Sequence, residues 1–407
     1  MNLSWYFNRL RSMGPAEILH RVRERWRKTA IKKRHQGWHG FPSAQARPIW
    51  QNLHARVMSA SPGQREQIAA SADAFLSGRF EALGQTWPEA ALAAPYDQLW
   101  HLDPVSQTSW PGSETYCFDV RIDYGGGKGD IKYAWEVNRL QILPVLAADY
   151  CLDGTSSRLS AIEELLASWY AHNPPFRGIA WMSGIEIALR AVNILAMLDL
   201  VQEKLSPQTR EQATRILAAS AHWLEHFPSH HSSANNHRVA ELAGLYLIAL
   251  FRDQMTASSG ASAELRAELQ KQILRDGTGA EQSPTYGAFT AELVLHCAQA
   301  ARERGDPFPQ DTDDRLRAFA DFIFVLGAGR FGDDDEGRVV CLGREDDYPI
   351  TVASAINRYC GGSPVTHEDF RALFFPAADS GPDASPEGLF VYQEGGYLYG
   401  GEGSETI

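Results

Sequence analysis

The stretch SSANNHRVAELAGLYLIALF, residues 232–251, decides how this chain is read. From Val239 onward its apolar residues recur at helical spacing, which predicts a long apolar helix. An asparagine side chain caps a helix by accepting a hydrogen bond from a free backbone N–H, and one asparagine suffices. Here two, Asn235 and Asn236, stand at the start, followed at once by His237 and Arg238. One of the pair is therefore a candidate for a task beyond capping.

The helical pattern continues on both sides. SRLSAIEELLASWYAHN, SGIEIALRAVNILAMLDLVQEKL, TREQATRILAASAHWLEHF, SAELRAELQKQILRD, TAELVLHCAQAARERG and DDRLRAFADFIFVLGAG all repeat apolar residues at helical spacing. Short turns containing Pro, Gly or Ser join them, which predicts successive antiparallel helix pairs. No fixed-period repeat points to a solenoid. Residues 110–139, WPGSETYCFDVRIDYGGGKGDIKYAWEVNR, are Gly-rich and aromatic and read as an inserted loop or short hairpin. Near the end, PEGLFVYQEGGYLYGGEGSETI alternates aromatic and small residues as strands do.

Composition narrows the function classes. The chain has 407 residues, 44% hydrophobic and 22% charged, the balance of a soluble globular protein. Its five cysteines are scattered without a CxxC pair, so neither a zinc ribbon nor a disulfide framework is indicated. A net charge of −12 argues against nucleic acid as a partner. Residues 1–34 run the other way, with ten Lys or Arg against Glu17 and Glu24. There Pro15 opens a helix with Ile18, Val22 and Trp26 on one face. The expectation is a basic helix docked by that stripe; the alternative is peripheral contact with an anionic membrane surface. The apolar run is too short for a signal peptide, and no transmembrane segment is predicted. HFPSHHSSANNH holds His226, His230, His231 and His237 without an HExxH pattern and reads as a polar loop rather than a zinc site. GDDDEGR, residues 332–338, lacks EF-hand spacing and reads as an acidic turn.

Four segments set polar residues at the ends of apolar helices. The first holds Trp135, Glu136 and Arg139. The second has Trp181 ahead of Glu186 and Arg190, an (i, i+4) acid–base pair. The third is the opening motif with Glu241, and the fourth holds Glu281, Gln282 and Tyr286 in a turn. Together with NRLRSMGPAEILHRVRERW and FGDDDEGR, these segments resemble the heparinase II/III-type polysaccharide lyases over nearly the whole chain. The resemblance implies a mainly α fold: a basic helical arm (1–45), an incomplete (α/α) toroid of paired helices (46–372), and the first strands of a truncated antiparallel β-sandwich (373–407). A sandwich takes on the order of 100 residues, whereas 18 follow Leu389, so a form that is inactive or nearly so is expected. No cofactor is identified; the further histidine and structural metal of the family belong to the sandwich.

Such a lyase removes the C5 proton of a uronic acid and expels the 4-linked oxygen, after its carboxylate has been neutralised. By resemblance, Asn236 (or Asn235) matches the carboxylate-neutralising position, and Tyr286 the acid, or both base and acid. His237 is the next candidate, as base or as a group orienting the asparagine, with Glu241 orienting His237 one turn away. Arg139, Arg190 and Arg238 are expected to keep the cleft positive or neutral for an acidic polysaccharide. Two other readings stay open: an inverting glycoside hydrolase using Glu281 with one of Asp333 to Asp335, and a non-catalytic glycan-binding protein in polysaccharide assembly. The resemblance implies the cell envelope or periplasm; the missing signal peptide leaves a cytoplasmic location open.

Overall fold

The computed structural model describes residues 14–34, 37–44, 47–122, 129–230, 235–327, 329–334, 337–340, 347–361, 369–376 and 388–401. His231, Asp335, residues 1–13 of the arm and most of the tail beyond 376 lie outside the described residues. The described chain begins with α1 (Pro15–Arg34), α2 (Leu53–Met58) and α3 (Pro62–Leu76), then a two-residue ladder of β1 (Glu81–Ala82) and β2 (Gln85–Thr86). There follow α4 (Ile131–Asn138), α5 (Ile142–Asp153), α6 (Ser156–His172), α7 (Gly184–Val201) and α8 (Pro207–His226). The last helices are α9 (Asn236–Phe251), α10 (Met255–Gln272), α11 (Pro284–Glu303), α12 (Gln310–Leu326) and α13 (Tyr348–Cys360). A hairpin of β3 (Gly388–Tyr392) and β4 (Tyr397–Gly401) closes the chain as described.

The fold is mainly α, an incomplete toroid of helix pairs. Helices α5, α7, α9, α11 and α13 pack side by side as an inner layer, and α6, α8, α10 and α12 return the chain on the outside. The sequence dictates this division. In α7, 16 of 18 residues are buried, whereas α10 buries only Ser258, Leu265 and Leu269. A helix apolar all round must be covered all round, and a one-sided helix covers it. Gly244 of α9 allows close packing on α7, since a Cβ there would lie 3.0 Å from the Ala188 Cβ. A small apolar cluster of Trp110, Ile131, Ala134 and Ile179 stands apart, and one main core runs through the rest of the body. It includes Ile31 and Phe41 before residue 46 and Leu373, Phe374 and Phe375 after residue 372.

Two expectations are corrected. The segment expected as a loop or hairpin ends in α4, because Asp130 caps it, accepting from the Lys132 N–H at 3.0 Å, and Ile131, Ala134 and Val137 bury one face. The stripe expected to dock the basic arm faces solvent: Ile18 is 38%, Val22 61% and Trp26 70% exposed. The opposite side of α1 docks instead, through buried Ile31 and a 2.6 Å hydrogen bond from the Tyr116 hydroxyl to the Lys28 carbonyl.

Two polar networks hold the last helices. Val339 and Val340, in a non-helical segment, are fully buried, and polar side chains of the body bind the backbone of Arg338 and Val339. Gln141 donates to the Arg338 carbonyl (2.7 Å), Asn193 donates to the Val339 carbonyl (2.9 Å), and the Val339 N–H donates to Glu292 (3.2 Å). Glu292 also accepts from Arg371 (2.6 Å) and the Tyr348 hydroxyl (2.7 Å), tying α11 to α13 and to the turn at Phe370–Phe374. The hairpin docks more lightly. Tyr392 meets Phe322 edge-on at 4.9 Å, and the N–H groups of Glu394 and Gly395 donate to Asp276.

Burial pushes the Glu292 pKa up, but the adjacent Arg371 guanidinium, helped by His296, more than offsets it and holds the carboxyl at about 2. Its stabilising contribution is therefore present above its ordinary value of 4.5 and lost as pH falls from there toward 2. Glu292→Gln should cost about 3–5 kcal/mol by leaving Arg371 short of a countercharge. Denaturant titrations across that pH window should show the wild-type slope and a flatter one for the variant.

Candidate active site

The N-terminal ends of three inner helices meet at one cavity of about 530 Å³. Ser183, Ile185 and Glu186 come from the start of α7, and Asn235, Asn236 and His237 from the start of α9. Glu281, Tyr286 and Phe289 come from the turn before α11 and its first turns. Helix α4 contributes Trp135, Glu136 and Arg139, and the segment before α13 contributes Asp334 and Gly337.

The two asparagines are used differently. Asn235 caps α9, its side-chain oxygen accepting from the His237 N–H at 3.4 Å, and its amide donates to Glu281 Oε2 at 3.2 Å. Glu281 Oε1 accepts from the Asn236 N–H at 3.3 Å, so the positive end of this helix already holds a carboxylate. Burial raises the Glu281 pKa, against these two hydrogen bonds. The Asn236 side chain is 8% exposed, and its Oδ1 is buried without a hydrogen-bond partner among the described residues. A buried amide that the fold does not use calls for an explanation.

Tyr286 lies in the first turn of α11, capped by Ser283. Its hydroxyl donates to Asp333 Oδ2 at 3.0 Å. Gln282 sits beside it in the left-handed region at φ 53°, and Gly332 passes so close that a Cβ there would lie 2.2 Å from the Gln282 carbonyl oxygen. His237 is lowered in pKa by burial, against the attraction of Glu186, so it is neutral at neutral pH.

Several expected site residues are engaged by partners within the scaffold. Glu186 does not pair with Arg190. It binds Arg139 in bidentate fashion, at 2.7 and 3.1 Å, and Arg139 also pairs with Glu136. Arg190 is fully buried and donates to the Asn138 and Ala180 carbonyls (3.3 and 3.0 Å), with its guanidinium over the rings of Trp169 and buried Trp181. Glu241 does not orient His237: its carboxylate accepts from the Ser229 N–H (2.8 Å) and hydroxyl (2.6 Å) and from Arg238. Arg238 in turn reaches Glu264. Trp181, Arg190, Arg238, Glu241 and Gln282 are thus not cavity-lining residues.

The expected positive or neutral lining, built on three arginines, is also corrected. Only Arg139 of the three arginines reaches the cavity, and two glutamates neutralise it. With Lys132 it faces Asp130, Glu136, Glu186, Glu281 and Asp334. The helix N-termini offset part of this excess, each carrying about half a positive charge. Asp130, which caps α4, and Lys132 and Tyr133 within it were missed, although they adjoin Trp135 and Glu136 in sequence. Among the described residues no group of three or more His, Cys, Asp or Glu could hold a metal ion.

The family model described as Heparinase II/III N-terminus matches residues 91–326. Among solved structures, a heparinase III resembles the chain with 19% identity and a TM-score of 0.47, over 66% of this chain and 39% of that one. The heparan sulfate lyase HepC from Pedobacter heparinus gives 16% identity and a TM-score of 0.43, over 68% of this chain and 43% of that one. The chain thus spans about two-fifths of the length of these structures. Comparison with curated proteins gave no match.

Asn235→Ala removes the α9 cap and one Glu281 contact. It should lower stability by about 1 kcal/mol, read as a shift in denaturation midpoint at unchanged slope. A midpoint equal to that of the wild type would mean that the cap contributes nothing.

Proposed function

The chain belongs to the heparinase II/III family, and from that premise we propose that it cleaves an acidic, uronic-acid-containing polysaccharide by β-elimination, in exopolysaccharide or glycosaminoglycan metabolism. One observation carries the reading: Asn236, His237 and Tyr286 line a single cavity, where the Asn236 side-chain oxygen has no hydrogen-bond partner among the described residues.

In this mechanism the Asn236 amide donates to the uronate carboxylate and strengthens that bond as negative charge moves onto it in the enolate. Neutral His237 takes the C5 proton. The Tyr286 hydroxyl, oriented by Asp333, delivers a proton to the departing 4-linked oxygen, leaving a 4,5-unsaturated uronate. The acidic lining bears on this assignment. A substrate carboxylate beside Glu281 pushes its already raised pKa in the same direction, which eases the repulsion between the two.

A glycoside hydrolase is the second reading, because Glu281, with its raised pKa, and Asp334 line the same cavity. An inverting pair works at roughly 6.5–9.5 Å separation. The products separate the two: a lyase releases an unsaturated uronate that absorbs in the ultraviolet, and a hydrolase releases none.

Against a panel of uronic-acid polysaccharides, the chain should generate ultraviolet-absorbing product. Asn236→Ala should lower kcat by about 10²–10³ with a smaller change in KM. Tyr286→Phe should be at least as damaging. Full turnover in both variants would remove the basis of this assignment. The pH profile adds an independent check. Because burial lowers His237 below its ordinary 6.5, the acid limb of kcat/KM should have its midpoint below pH 6.5. A midpoint above that value points to another base.

A further inference from the structure

We propose that the solvent-facing side of α1 is a docking surface for an anionic lipid bilayer. At about 100° per residue, Ile18, Leu19, Val22 and Trp26 fall within one sector of this 20-residue helix. They are 38%, 50%, 61% and 70% exposed, the largest run of exposed apolar side chains on any one helix described. Isolated exposed apolar residues are ordinary, but four on one stripe are not.

Charge is sorted around the same axis. Both acidic residues of α1, Glu17 and Glu24, are half-buried and ion-paired along the helix, to Arg21 (2.8 Å) and Lys28 (2.6 Å). The exposed flanks carry Arg21 and Arg25 on one side and Arg23 on the other, with Lys33 near the C-terminal end. No acidic side chain is exposed on α1, in a chain whose net charge is −12. The docked side is fixed independently, by Ile31, by the Tyr116–Lys28 hydrogen bond, and by the Lys28 ammonium 4.3 Å from the Phe118 ring centroid. The stripe is therefore presented by a helix that is already seated.

An apolar strip with a tryptophan, bracketed by basic residues, suits the headgroup boundary of a negatively charged leaflet. Charge complementarity favours this occupant over a second copy, whose apolar surface would have to come with acidic flanks to match.

The test uses the full chain with vesicles of phosphatidylcholine alone or mixed with phosphatidylglycerol. The chain should co-sediment with the mixed vesicles, weakly or not at all with pure phosphatidylcholine, and release at high salt. Brominated lipid should quench part of the tryptophan emission in the wild type and much less in Trp26→Phe. Val22→Asp with Trp26→Asp, and separately Arg23→Glu with Arg25→Glu, should each weaken binding by roughly tenfold or more. All four positions are exposed, so melting temperature should hold; the quenching comparison decides the matter if it does not. Absence of binding to mixed vesicles overturns the proposal. So does self-association that Trp26→Asp abolishes, which would assign the stripe to a second copy.

Discussion

Everything at the cavity depends on one buried cation, Arg139, clasped by Glu186 of α7 and Glu136 of α4. Burial opposes its charge, but the two glutamates more than offset this and raise its pKa. The pair joins α4 to the inner layer and forms part of the cavity wall. A buried ion pair gives little net stability against an apolar replacement, yet removing one partner is costly. Its value here lies in fixing geometry. With Glu186 held by Arg139, the first turn of α7 faces the cavity, and Trp135 is anchored beside it by a 3.0 Å bond to the Ile179 carbonyl.

The same economy of charge explains the acid-rich lining. Glu186 stands in the first turn of α7, and Glu281 accepts from the first N–H of α9. Both carboxylates lie where helix ends carry partial positive charge. Negative groups are thereby tolerated in a half-buried site whose own cations are few. The Asn236 side chain remains available there, its Oδ1 without a hydrogen-bond partner among the described residues.

The layered helix pairs were legible in the sequence because periodicity encodes burial directly. Nearly every residue of α7 is buried and most are apolar, whereas α10 buries one side only. The four polar segments were legible as well, yet only part of each reaches the cavity. Local spacing made Glu186 and Arg190 a pair, and a tertiary partner 47 residues away prevailed, because Arg139 offers a bidentate fork and Arg190 is enclosed between carbonyls and indoles. Glu241 was lost to Ser229 for the same reason. The Glu292–Arg371 contact, 79 residues apart, left no local trace, nor did the buried passage of Val339 and Val340. The stripe on α1 was seen correctly as a stripe. What periodicity does not encode is which side of an amphipathic helix meets the body when the other side offers aromatic and hydrogen-bonding partners.

Because the inner helices present their N-termini to the cavity, the two ends of the barrel differ in what they can absorb. Connections entering α7, α9 and α11 carry the chemistry, so their lengths are constrained by side-chain geometry. Those leaving the same helices, at 202–206, 252–254 and 304–309, sit at the far end and do not line the cavity. Their ion pairs, such as Asp253 with Arg47 and Arg304, are exposed or partly so and contribute little. The far end is accordingly the face on which to attach a fluorophore, graft an affinity tag or tether the protein to a support, leaving the chemistry at the opposite pole untouched.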